Sequence, residues 1–134
     1  MHESTTKSFI FNKKIDAACL FALYEDDLPY IEEIFSITLT QLRQDIPLLR
    51  DLATKADTSA LRTLVHKLKP SFAFVGMTDV QHQCAAIEQM ADSLQGRTVP
   101  EEKIHPFLNM LTVALEDVEA EYLRIKEYNL SNNG

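Results

Sequence analysis

One histidine in this chain has neighbours that suit it to nucleophilic chemistry. On a helical wheel of about 100° per residue, Leu64, Val65, Leu68, Phe72 and Val75 fall within about 60° of Leu61 and form an apolar stripe. His66 falls about 140° from Leu61, away from that stripe, so its imidazole is expected to face solvent. Arg62 and Lys69 share its face, one turn before and one turn after it, with Pro70 and the small Ala73 beyond. Lys67 adds a third cation farther round. An imidazole nitrogen can attack a phosphoryl group, and adjacent cations stabilise the phosphate that results. Read alone, the pattern also describes an ordinary exposed histidine among lysines.

The elements that must hold this face are all helical in pattern. Residues 17–24 form a short apolar segment after Asp16. Asp27 and Pro29 open a long helix carrying Ile31, Ile34, Phe35, Thr38, Leu42, Leu49 and Leu52 to about residue 54, interrupted at Pro47, where a kink is expected. Asp57 or Thr58 caps the helix of His66, and Gly76 suits its end. Thr78-Asp79-Val80-Gln81 and Thr98-Val99-Pro100-Glu101 read as capping boxes for two further helices, with Pro106 an alternative start for the last. No segment alternates at period two. The expected fold is all-α: an antiparallel four-helix bundle with a short extra N-terminal helix. Residues 1–12 are expected to form a flexible arm, 13–128 the bundle, and 129–134 a frayed end.

Composition narrows the function classes. The 134 residues are 46% hydrophobic and 25% charged, ordinary for one globular domain that needs no metal or disulfide staple. A net charge of −7 makes nucleic acid a poor partner. No apolar run approaches the roughly 18 residues of a membrane span, and Lys13, Lys14 and Asp16 interrupt the N-terminal apolar residues, so neither membrane nor leader is expected. Cys19 and Cys84 are expected as buried reduced thiols in a cytoplasmic protein. His82 and Cys84 lie about 200° apart on a helix and cannot chelate as a pair, and His2 and His105 lack ligands at helical spacing. No metal site is expected. The acidic residues Glu116, Asp117, Glu119 and Glu121 read as a solvated face.

The segment from His66 to Gly76 (HKLKPSFAFVG) resembles the signature of histidine-containing phosphotransfer domains, H-x-L-K-G-[SA]-[SA]-x-x-[LVF]-G. The match covers His66, Leu68, Lys69, Ser71, Val75 and Gly76. The Leu-rich approach from Leu48 to Lys67 and the run from Cys84 to Glu88 are similar to the family as well, and the resemblance spans roughly residues 15–125. It implies that His66 accepts a phosphoryl group from one receiver-domain aspartate and donates it to another. Lys69 would then screen the phosphoryl oxygens. Glu88 matches a position that in several members holds a Glu or Gln bonded to the histidine ring; an ordinary solvated flank glutamate is the other reading.

The resemblance further implies partners and cofactors. The partners would be response-regulator receiver domains, with a hybrid histidine kinase one source of such a domain. Mg²⁺ would sit on the receiver, and the chain would have no cofactor, kinase centre or nucleotide site of its own. It would be a phosphocarrier and not an enzyme. Arg62, Lys67, Pro70, Ala73 and Phe74 would form the docking face. Pro70 departs from the family's usual Gly and removes an N–H from the helix just past the nucleophile. That departure leaves a second reading open: a helical adaptor that binds receiver-like domains through the same face without phosphotransfer.

Overall fold

The computed structural model describes residues 9–132. Five helices follow in order: α1 (Ala17–Tyr24), α2 (Leu28–Thr54), α3 (Thr58–Phe74), α4 (Thr78–Ser93) and α5 (Glu101–Asn132). No strand occurs among the described residues. α2 to α5 form an antiparallel four-helix bundle, and α1 is the short extra helix, as the apolar periodicity predicts. α3 packs chiefly on α4 and α2, and α2 also packs along α5. Phe35, Leu42, Leu49, Val65, Leu68, Phe72, Leu111 and Ile125 are fully enclosed where these faces meet. Burying each such side chain contributes about 1.5–3 kcal/mol, so the apolar stripes hold the bundle.

Three helices begin at aspartates whose side chains accept an otherwise unpartnered N–H. Asp16 accepts from Cys19, Asp27 from Tyr30 and Asp57 from Ala60, each at 3.1 Å. The two threonine boxes behave differently. α4 starts at Thr78 with Met77 in the cap position, where it makes no side-chain cap bond. The chain enters α4 straight from the turn at Gly76, and Met77 turns its side chain into the core. α5 starts at Glu101, with the Pro100 carbonyl accepting from Lys103 and Ile104 at 3.0 Å each. Buried Val99 anchors that approach, so Thr98 lies outside the helix and Pro106 well inside it. α2 runs unbroken through Pro47.

Gly76 ends α3 at φ 73°, a backbone shape that favours glycine. Met77 N–H donates to the Phe72 carbonyl at 2.9 Å across this turn. The Gly76 carbonyl in turn accepts from Asp16 N–H at 2.8 Å, which ties the entry of α1 to the exit of α3.

The described parts of the expected arm and tail pack on the bundle. Residues 9–12 lie against the bundle: Phe11 is buried, and Asn12 N–H donates to Glu121 Oε2 at 2.6 Å. Arg124 holds the Ile10 carbonyl at 2.9 Å and covers the ring of Phe9. Glu121 is 1% exposed and also pairs with Arg124, so it is not part of a solvated face. An inward carboxylate within an acidic run gives no sequence signal here, because the backbone N–H it accepts from belongs to Asn12, 109 positions away. α5 continues to Asn132 rather than fraying at 129, because Asn129 is buried and donates to the Leu28 carbonyl and Glu32. The expectations for residues 1–8 and 133–134 fall outside the described residues. Both cysteines are free thiols; Cys84 is buried, whereas Cys19, on the short α1, is half-buried.

Candidate functional site

α3 and α4 run antiparallel and press their polar flanks together beside the core. Leu64, Val65, Leu68 and Phe72 point inward from α3, which turns His66 outward. Its side chain is 66% exposed. On α4, Val80, Cys84, Ile87 and Ala91 are buried, and Glu88 stands at the edge of that stripe facing α3.

Glu88 organises the site. Its side chain is only 10% exposed, and its Oε2 lies 2.6 Å from His66 Nδ1. Its Oε1 lies 2.6 Å from Lys69 Nζ. The Lys69 ammonium, with the His66 hydrogen bond adding to it, holds the Glu88 carboxyl below the usual range against the opposing effect of burial. An ionised carboxylate only accepts hydrogen bonds. Nδ1 therefore carries the hydrogen, and in the neutral tautomer that this bond selects the lone pair is on Nε2. Burial pushes the neighbouring Cys84 thiol up to about 12, so it stays protonated and takes no part as a thiolate.

The other residues singled out from the sequence fall around this centre. Arg62 approaches Asp92 through its Nε and lies 3.8 Å from Glu88 Oε2. Lys67 points toward α2, 3.5 Å from Asp45, a buried carboxylate that also accepts from Gln41. Pro70 and Phe74 are exposed and Ala73 is half-buried on the same side. The Phe74 carbonyl accepts from Tyr24 Oη at 2.8 Å. Lys69 is partly enclosed by its pairing with Glu88 and does not stand free beside the imidazole.

Asp92 and Asp45 escaped the sequence reading. Asp92 follows Glu88 by four positions just as Arg62 precedes His66 by four, a pairing signal available once α3 and α4 are known to be antiparallel neighbours. Asp45 gave no signal, since a charged residue amid apolar ones on α2 reads equally as a flank position.

Of the imidazoles that the helices expose, that of His66 is braced by a carboxylate from the next helix. The Hpt domain family model matches residues 33–122, from the first third of α2 to well along α5. The chain belongs to the Hpt domain family, whose members are phosphocarriers of two-component phosphorelays and interact with receiver domains. Neither the curated proteins nor the solved structures yield a match to it. Among the described residues, no helix is long and apolar enough to cross a membrane.

Proposed function

We propose that this chain is the phosphocarrier of a multistep His-Asp phosphorelay, with His66 as its phosphoacceptor. The observation that carries this reading is the 2.6 Å contact between His66 Nδ1 and the enclosed Glu88, made by a side chain that is itself 66% exposed. When an aspartyl phosphate of a receiver docks, the Nε2 lone pair forms the P–N bond as the acyl P–O bond breaks. The electron pair leaves on the receiver's carboxylate. The ring becomes cationic, and its Nδ1 proton stays on the hydrogen bond to Glu88, which stabilises the charge. Transfer to a second receiver reverses these steps.

The receiver supplies the acidic pocket and its Mg²⁺, and a hybrid histidine kinase is a suitable source of the first receiver. Arg62, Lys67, Pro70, Ala73 and Phe74 surround the nucleophile and would meet the partner. Two unpaired thiols fit a reducing, cytoplasmic setting. The test is phosphotransfer from the phosphorylated receivers of the source cell to the wild-type chain and to His66→Gln. Labelling of the wild type alone is expected. A receiver that binds the wild type tightly yet never labels it would favour the adaptor reading instead.

A further inference from the structure

The seam between α3 and α4 carries a charged pair that the phosphoacceptor reading leaves unused. Three side-chain cations flank His66. Lys69 and Lys67 each face a carboxylate that is at least nine-tenths enclosed, Glu88 and Asp45 respectively. Such pairings resist exchange, because releasing the cation would leave a desolvated charge behind. Arg62 differs. Its closest partner is Asp92, an exposed carboxylate, and exposed pairs are weakly held. Its Nη2 lies 3.8 Å from Glu88 Oε2, the same oxygen that accepts from His66 Nδ1. The guanidinium thus waits one carboxylate oxygen away from the imidazole. It has five N–H donors in a fork, more than these two contacts occupy. A phosphoryl dianion on Nε2 would be a stronger and bidentate acceptor than a solvated aspartate.

We propose that Arg62 is the cation that closes on the phosphoryl group of phospho-His66, and that Asp92 is the positioning residue that holds it beside the imidazole until that group arrives. The proposal rests on the phosphoacceptor reading of His66. Lys69 keeps Glu88 ionised, Glu88 fixes the ring, and Arg62 answers the incoming charge. Asp92 competes with the phosphoryl group for the guanidinium, so it sets how strongly the phosphorylated form is favoured.

Phosphoramidate, a small donor that needs no partner protein, tests this. His66 Nε2 bonds to phosphorus as the P–N bond of the donor breaks, and the electron pair leaves on ammonia. The equilibrium constant for this exchange, measured by ³¹P NMR at several ammonium concentrations, reads the stability of phospho-His66. Arg62→Gln should lower it roughly three- to tenfold, the span expected for a charge-assisted contact at a half-exposed site. Arg62→Lys should recover part of that loss. Asp92→Asn should raise the constant, and should have little effect when Arg62 is already Gln. In ¹⁵N-labelled protein the Arg62 Nε–H signal should shift on phosphorylation. Circular dichroism should show each variant folded, since both side chains lie at the surface. An unchanged constant in Arg62→Gln, or an Asp92→Asn effect that persists in full without Arg62, overturns the proposal while leaving phospho-His66 intact. A wild type that takes up no phosphoryl group, or a His66→Gln variant that takes up as much, overturns the phosphoacceptor reading and this proposal with it.

Discussion

His66 Nδ1 and Glu88 Oε2 lie 2.6 Å apart across the α3–α4 seam, the only link between an exposed ring and an enclosed carboxylate at this site among the described residues. The ring alone would rotate and exchange tautomers. Bound to Glu88, it presents one nitrogen in one direction. Orientation thus comes from a residue 22 positions away in the chain.

Replacing Glu88 should slow phosphotransfer while His66 stays available. Loss of the partner that orients a metal-ligating histidine typically costs ten- to hundredfold, and a loss of about that order is expected for an imidazole oriented in the same way. Glu88→Ala is expected within that range, and Glu88→Gln should retain more activity because its amide oxygen can still accept from Nδ1. Transfer rates from one phosphorylated receiver to the three proteins decide this; equal rates would remove Glu88 from the site.

Glu88 also makes stability depend on acid. Its carboxyl is held below the ordinary value of 4.5, chiefly by Lys69, so the folded state favours the ionised form. That stabilisation is complete above the ordinary value and is lost as pH falls through the lowered one. Thermal melts of wild type and Glu88→Gln between about pH 6 and 3 should therefore converge on acidification. A gap that widens in acid would contradict the ionised pairing.

Lys69→Ala should both slow transfer and weaken the fold. The Lys69 side chain is 28% exposed and its ammonium is bonded to an enclosed carboxylate, so its removal leaves Glu88 with His66 and the more distant Arg62. A loss of about 1–2 kcal/mol is expected from a charged hydrogen bond of this kind. Denaturant unfolding measures it, and no change in stability would mean that the pair is dispensable.

Pro70→Gly restores an N–H that can bond the His66 carbonyl one turn back. An interior proline ordinarily costs a helix about 3 kcal/mol, while glycine gives back roughly 0.5–1 kcal/mol in unfolded-state freedom. A neutral or somewhat more stable protein is expected, with transfer rates that change unequally between receivers because an exposed part of the docking face has changed. A melt and rates to two receivers test both halves. Marked destabilisation would make the proline structural, and equal rate changes would deny it a role in partner choice.

Gly76→Ala should destabilise by about 1–3 kcal/mol. The backbone there is at φ 73°, and an added Cβ would come within 3.1 Å of Ile15 and Leu20 and 3.2 Å of the Asp16 carbonyl. Because these contacts seat α1 and not the imidazole, the melting temperature should fall while phosphotransfer below the melt is retained.

The sequence alone determined the helices, their inward faces and the outward placement of His66. Apolar residues at helical spacing must share one face, and whatever lies about 140° away must face solvent, in any bundle built from that stripe. Short-range signals also sufficed for the Asp27 cap and for Gly76, and narrowed the cap of α3 to Asp57 or Thr58, since each acts within one turn. Contacts made across the chain were different. The expectation for Glu88 came from family likeness, but only tertiary structure brought its two oxygens to His66 and Lys69. Tertiary structure alone drew Asp92 to Arg62, Asp45 to Lys67, and Asn12 to Glu121. It also displaced the expected starts of α4 and α5, where buried Met77 and Val99 prevailed over local capping preference. A charged residue at the flank of a helix has the same periodicity whether water or a partner lies beyond it. Which one it meets is decided by the rotation and register of the neighbouring helix, and those are set by packing of the whole core.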